Sequence, residues 1–283
     1  MLYICGTPIG NLEDITLRQL NTLKAVDIIA AEDTRHSLKL LNYYNIKCPL
    51  ISYHHHNKKA RSKYLIDQLD QGKKIALITD GGMPAVSDPG WDMVLLCKEM
   101  GIQITTVPGP TALISGLVLS GFDTTSFAFE GFLDKKNKRQ MNRLVLEERT
   151  IILYEAPHKL VKTLLFLQSI LGGHRPMATA RELTKKFEEI SHFTISEAIQ
   201  YYEKNRPQGE FVLIIQGKEH EERQWDISIK DHVEIYLKKG HTKMEAIKMV
   251  AKERGVGKRE VYIADVLQKH EYKTQDFCRK TRK

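Results

Sequence analysis

A chain of 283 residues with 42% apolar side chains has room for two medium domains and a small appendage, and its composition excludes a low-complexity or disordered chain. The four cysteines (Cys5, Cys48, Cys97, Cys278) lack paired spacing, no apolar run approaches the roughly 18 residues of a membrane span, and MLYICGTPIG has no basic signal-peptide start. These exclusions predict a cytoplasmic protein without disulfides, bound metal or membrane contact, while the net charge of +8 falls mostly beyond Trp225, where 15 Lys/Arg face 9 Asp/Glu.

In chain order, LYICG, DIIAAE, LISYH, KIALITD and IQITTVPG read as strands. Between them TLRQLNTLKAV, SLKLLNYY, KKARSKYLIDQL and WDMVLLCKEM carry apolar residues at three- and four-residue spacing. The alternation predicts crossover units and a mainly parallel sheet covered on both faces. In KKARSKYLIDQL, Tyr64, Leu65, Ile66 and Leu69 are expected on the buried face, with Gly72 as the stop. After TALISGLVLSG the strands SFAFEGF, TIILYEA, PMATAREL, EEISHFT and GEFVLIIQG alternate more in polarity. They are separated by the helical KKNKRQMNRLVLEE, PHKLVKTLLFLQSIL and SEAIQYYEKN, which predicts a second α/β domain with a more mixed sheet. EHEERQWD reads as a linker. Beyond it come three short helices, the second opened by a Thr242–Glu245 capping box and the third entered through Gly255-Val256-Gly257 at Lys258-Arg259. Such a pair resembles a helix-turn-helix whose basic end could meet phosphate. The expected domains are 1–117, 118–220 and a basic helical RNA-binding extension at 225–283.

The chemistry concentrates in loops. TDGGMPAVSDPG (79–90) leaves a strand through glycines and prolines, yet it has neither the GxxxxGK[ST] nor the GxGxxG pattern, which argues against a nucleoside triphosphate or dinucleotide. Bare amides there suit a ligand carboxylate or ribose, and Asp80 suits an ammonium group or sugar hydroxyls. S-adenosylmethionine offers all of these. GTPIGN (6–11), with Pro8, and VPGPTA (107–112) share the character, and parallel topology puts all three loops at one sheet edge.

Taken in order, GTPIGNLEDITLRQL, AAEDTRHSLKLL, ISYHHHN, TDGGMPAVSDPG, VPGPTALISGL, FEGFL, YEAPHKL, ARELTKKFEE and GEFVLIIQG resemble the ribosomal RNA small-subunit methyltransferase I family, of the tetrapyrrole-methylase superfamily. The resemblance spans about residues 2–217, and the basic tail fits the family's C-terminal extension. It implies two α/β domains of the tetrapyrrole-methylase type with a cofactor cleft between them, and S-adenosylmethionine-dependent 2′-O-methylation of a cytidine in the decoding region of 16S rRNA. It also implies a homodimer acting on 16S rRNA or the 30S subunit. Carried over by position, it places cofactor contacts at Gly81, Gly82, Pro84, Val86, Thr111, Ala112, Tyr154, Glu155, Ala156, Leu183 and Glu210. The loop departs from the family's SDAGTP at Gly81 and at Met83, where a hydroxyl is lost.

For a proton acceptor the strand ends offer Asp33, Glu182 and one of His54/His56, while Lys186 or Arg35 could lower the hydroxyl's pKa or hold a phosphate. His54 and His56 are expected at an RNA-facing rim and not on a metal, since neighbours in sequence point apart; Lys258 and Arg259 are expected on RNA. The alternatives are a tetrapyrrole carbon methylase of the same superfamily, or a non-catalytic RNA-binding protein with a decayed cofactor pocket.

Overall fold

The computed structural model describes residues 1–218 and 227–265. The chain divides into a unit of Met1–Lys218 and a second of Glu219–Lys283. The EHEERQWD linker reading, Cys278 and the end of the last tail helix lie outside the described residues.

The first sheet holds β1 (Leu2–Cys5), β2 (Ile28–Ala31), β3 (Leu50–Ser52), β4 (Ile75–Ile78) and β5 (Ile104–Val107) in the order β3-β2-β4-β1-β5. Every pairing is parallel. β2 (IIAA) and β4 (IALI) are buried at each position, as strands covered on both faces must be. The covering helices are α1 (Leu17–Ala25), α2 (Thr34–Tyr43), α3 (Lys58–Asp70) and α4 (Trp91–Glu99). Thr16 caps α1, its hydroxyl accepting from the Gln19 amide at 3.0 Å. In α3 the inward stripe is Ser62, Leu65, Ile66 and Leu69. Tyr64 falls outside that arc and is exposed, contrary to the sequence expectation. Ser62 is tolerated inside because the Tyr53 hydroxyl lies 3.2 Å from its own.

The second sheet has the order β6-β7-β10-β8-β9. Its elements follow the helix α5 (Ala112–Ser120) and run β6 (Phe127–Phe132), α6 (Lys138–Leu146), β7 (Thr150–Glu155), α7 (Leu160–Leu171), β8 (Pro176–Arg181), β9 (Glu189–Thr194), α8 (Ile195–Lys204) and β10 (Phe211–Ile215). β6 and β7 are parallel and the other pairs antiparallel, the mixed sheet expected from the alternating polarity. Leu160, Leu164 and Leu167 of α7 pack with Ile195, Ala198 and Ile199 of α8 on one face; each fully buried leucine contributes about 1.5–3 kcal/mol. On the other face α5 approaches β10 closely at Gly116, where a Cβ would lie 3.2 Å from a Val212 methyl. α5 ends at Gly121 in the left-handed region (φ 70°). Its outer side exposes Ile114, Val118 and Leu119, with Val118 65% exposed.

The second unit contains α9 (Ile229–Lys238), α10 (Lys243–Arg254) and a third helix described over 258–265. The Thr242–Glu245 capping box is present, and α10 stops at Gly255 (φ 68°). Val233, Ala246, Ile247, Val250, Ala251 and Val261 form a small separate core. His232 is buried beside it, Nε2 3.0 Å from a Glu253 carboxylate oxygen and Nδ1 accepting from Arg254 Nε at 3.2 Å. Lys258 and Arg259 stand exposed at the start of the third helix.

Candidate active-site cleft

Parallel pairing carries the loops after β1, β4 and β5 to one edge of the first sheet, and the structure laces them together. The Thr7 amide donates to Gly82 O and the Gly82 amide to Thr7 O, each at 2.9 Å, while Thr7 Oγ1 donates to Thr79 O at 3.0 Å. Gly6 and Gly109 meet backbone to backbone: a Cβ on Gly109 would lie 2.8 Å from the carbonyl carbon and oxygen of Gly6. The sequence reading has Gly82 baring its amide to a ligand. That amide is instead consumed by Thr7, and Gly82 is required by its φ of 84°. Of the two glycine amides, that of Gly81 has no partner among the described residues. Met83, where the family carries a hydroxyl, packs against the first sheet's core beside Gly6.

Over this edge lies a cleft of about 810 Å³, within the usual range for small-molecule sites. One wall comes from the first sheet: Pro8, Ile9, Glu32, Ser37, Thr79 and the 80–88 loop. The facing wall comes from α5 and the ends of β7, β8 and β10. The walls are tied where the Asn11 amide donates to Thr184 Oγ1 at 3.0 Å. Of the cofactor contacts expected from sequence, Pro8, Asp80, Gly81, Gly82, Val86, Thr111, Ala112, Tyr154, Glu155, Ala156, Leu183 and Glu210 all line this one cleft. Pro84 does not; it is buried behind the loop. The Tyr154 hydroxyl accepts from the Leu113 amide at 3.1 Å, satisfying the start of α5. Burial and its neighbours push that phenol up to about 12. Glu155 is buried and accepts from the Ala156 amide at 2.8 Å.

The expected catalytic residues are placed differently. Asp33 is the N-cap of α2: it accepts from the Arg35 amide (2.8 Å) and is held by the Arg35 guanidinium at 3.2 and 2.8 Å. Those bonds, the guanidinium's first, hold its carboxyl at about 2, and neither Asp33 nor Arg35 lines the cleft. Burial alone would raise the Glu182 carboxyl. Lys185 Nζ at 2.9 Å and the Glu210 amide at 3.0 Å outweigh it and hold the group low. Glu182 is thus engaged at the rim, outside the cleft lining. Lys185, not Lys186, faces the cleft; it bridges Glu182 and Glu210, while Lys186 Nζ lies over the Phe187 ring. His54 and His56 sit ring to ring at 6.0 Å before α3, away from the cleft. Lys258 and Arg259 belong to the other unit.

Among the lining residues that sequence reasoning did not assign to the site are Glu32, Ser37, Thr79, Asp88 and Phe132. Burial first, then Asp80 and Asp33, raises the Glu32 carboxyl. Burial first, then Glu32 and Asp80, pushes Asp88 up to about 7. Ser37 and Thr79 are each 2% exposed, and their hydroxyls have no partner among the described residues. An orphaned buried hydroxyl costs about 1–3 kcal/mol, which a bound polar ligand would relieve. The orphan hydroxyls, the Gly81 amide, the carboxylates and the apolar patches of Ile9, Ala180 and Leu183 fit the hydroxyls, ammonium and flat base of S-adenosylmethionine. Among the described residues no group of three His, Cys, Asp or Glu side chains could hold a metal ion, and no helix is long and apolar enough to cross a membrane.

A profile of the Tetrapyrrole (Corrin/Porphyrin) Methylases matches residues 1–199. The chain is 46% identical over 267 residues to ribosomal RNA small subunit methyltransferase I of Synechocystis sp., covering 93% of this chain and 96% of that one. It is 47% identical to the protein of the same name from Thermotoga maritima, over 77% of this chain and 99% of that one. Among solved structures it is similar to a uroporphyrin-III C-methyltransferase from Thermus thermophilus complexed with S-adenyl homocysteine. That likeness has a TM-score of 0.57 at 20% identity, over 76% of this chain and 96% of the other, and is one of fold.

Proposed function

The chain belongs to the ribosomal RNA small subunit methyltransferase I family, and from that premise we propose that it methylates the ribose 2′-oxygen of a cytidine in the decoding region of 16S rRNA. The observation that carries the reading is the single cleft in which twelve of the expected cofactor contacts converge on the laced glycine loops. S-adenosylmethionine is the donor, and when bound it supplies a methyl group on a positively charged sulfur.

The residues divide the work. Gly81 offers its amide, and Thr79 and Ser37 offer buried hydroxyls to the donor's polar groups. Ile9, Ala112, Leu183 and Val212 supply apolar surface for a base and exclude water. Lys185, fixed between Glu182 and Glu210, holds the second wall in place. A rigid cradle of this kind aligns the acceptor oxygen with the methyl carbon, and alignment alone can lower a barrier by about 7–11 kcal/mol. The RNA is recognised through charge: Lys258 and Arg259 stand exposed on a helix start, where phosphate contacts orient a duplex or loop. The apolar outer side of α5 is the surface we assign to a homodimer contact.

Methyl transfer from labelled S-adenosylmethionine to unmodified 16S rRNA and to 30S subunits tests the reading. The expected product is a 2′-O-methylated cytidine. Transfer to a tetrapyrrole carbon and not to RNA would replace it with the macrocycle alternative, and an absence of saturable cofactor binding would point to a decayed pocket.

A further inference from the structure

We propose that the Asp88 carboxylate is the proton acceptor for the ribose 2′-hydroxyl, a role that rests on the 2′-O-methylation reading above. The reaction creates the need: a ribose hydroxyl is a weak nucleophile and must shed its proton as it attacks. The carboxylates suggested by the strand-end motifs are committed elsewhere, Asp33 to Arg35 and Glu182 to Lys185 and the Glu210 amide. Asp88 is different. It lies in the same cleft lining as Tyr154 and Phe132 of the second sheet, and its carboxylate has no hydrogen bond or ion pair among the described residues.

Its loop is built to hold it there. Ala85 and Ser87 both adopt left-handed backbone (φ 69° and 65°), a conformation that costs non-glycine residues about 1–3 kcal/mol and persists where the surroundings enforce it. The Ala85 amide donates to Pro89 O at 3.3 Å, closing the loop on itself. Gly90 packs so tightly that a Cβ would lie 2.9 Å from a Leu77 methyl. Gly131 of the facing sheet would bring a Cβ to 3.0 Å from Ser87 Oγ. Strain of this kind concentrates at working positions.

The surroundings also set its basicity. Glu32 and Asp80 face Asp88 from the ends of β2 and β4, and Tyr154 faces it from β7; His36, Lys39, Glu155, Lys185 and Glu210 complete the titratable groups of the cleft. Burial and the two neighbouring carboxylates push Asp88 up to about 7, the value at which a base is both free and able to accept at neutral pH. The unpartnered hydroxyls of Ser37 and Thr79 in the same cleft mark it independently as a place for a polar ligand. In the step itself the 2′-oxygen bonds to the methyl carbon, the carbon–sulfur electron pair goes to sulfur, and the hydroxyl proton goes to Asp88. A sulfonium and a carboxylate thereby become a neutral thioether and a neutral acid.

Asp88→Asn and Asp88→Glu in the full chain, assayed in single turnover on 30S subunits, test the assignment. Expected for Asp88→Asn is a loss of at least a hundredfold, the lower end of the roughly 10²–10⁴ that a positioned base supplies. Binding of S-adenosylhomocysteine by calorimetry should stay within about threefold, and Asp88→Glu should recover part of the rate. The wild-type rate should rise with pH through about 7, because only the ionised carboxylate accepts a proton. A carboxyl resonance titrating near that pH in ¹³C NMR should be absent from Asp88→Asn. A variant with undiminished rate on a confirmed ribose product overturns the inference alone, as does lost S-adenosylhomocysteine binding or a carboxyl titrating near 4. A methyl group found on the base overturns the ribose reading first, and the inference with it.

Discussion

Replacing Asp88 by Asn should make the folded protein more stable at alkaline pH, and by an amount that follows a defined curve. A carboxyl moved from 3.8 to about 7 favours the folded state fully below 3.8. That advantage is lost progressively as pH rises through about 7, because the unfolded chain ionises freely and the folded one resists. Taken at face value the change corresponds to about 4 kcal/mol. The side chain is partly exposed, so solvent screening brings the expected effect to about 1–2 kcal/mol. Asparagine, which never ionises, escapes it, the repulsion from Glu32 that forms part of the shift included. Urea unfolding followed by circular dichroism at pH 5, 6, 7 and 8 should show the variant's advantage growing to pH 7 and then levelling. With a slope of about 1–3 kcal/mol/M, the midpoint shift at pH 8 is roughly half a molar. A gap that is constant across pH, or a variant less stable at pH 8, would refute the electrostatic account. A gap that grows with pH would instead mark a trade at this residue: a carboxylate kept where it weakens the fold because the proposed chemistry requires it there.

Gly109→Ala should destabilise by about 1–3 kcal/mol in thermal or chemical unfolding, since its Cβ would stand 2.8 Å from Gly6 backbone that cannot rotate away. Gly82→Val should cost a similar amount through its φ of 84°, and weaken cofactor binding by calorimetry through the Thr7 pairing; normal affinity would disconnect the loop from the ligand. Val118→Lys should convert the proposed dimer to a monomer in sedimentation, with the fold intact by circular dichroism. Removing residues 219–283 should flatten the salt dependence of RNA binding while leaving cofactor affinity unchanged. An unchanged salt slope would take the RNA-binding role away from the tail.

Much of this architecture was written in residue patterns. IIAA and IALI announce strands buried on both faces, and the glycine loops that follow such strands had to share an edge once the pairing was parallel. The first wall of the cleft was legible for that reason. The proposed proton acceptor was not, because a carboxylate's role depends on what stands beside it. Asp33 in AEDTR precedes a helical run, so the N-cap signal was available, and that role commits its carboxylate to Arg35. Glu32, one position earlier, is the member of that pair that lines the cleft. Asp88 was hidden in Ser-Asp-Pro-Gly, a sequence that reads as a turn; only the facing β6 and β7 reveal what the turn presents. Tyr64 shows the same limit in a helix, where misplacing one member of the stripe by two positions exchanges an inward serine for an outward aromatic.

The lacing of the β1, β4 and β5 loops has a consequence for how such a site can change over generations. Thr7 holds Gly82 through two main-chain bonds and Thr79 through its hydroxyl, while Gly6 abuts Gly109 with no room for a single carbon. Substitutions in one loop are therefore felt in the other two, and neighbours coupled this way do not contribute additively. Segments 72 and more residues apart along the chain must drift together or not at all. An engineer wishing to graft this wall of the cleft onto another parallel sheet would have to transplant the trio as a single inherited part, with the strand order that brings its members side by side.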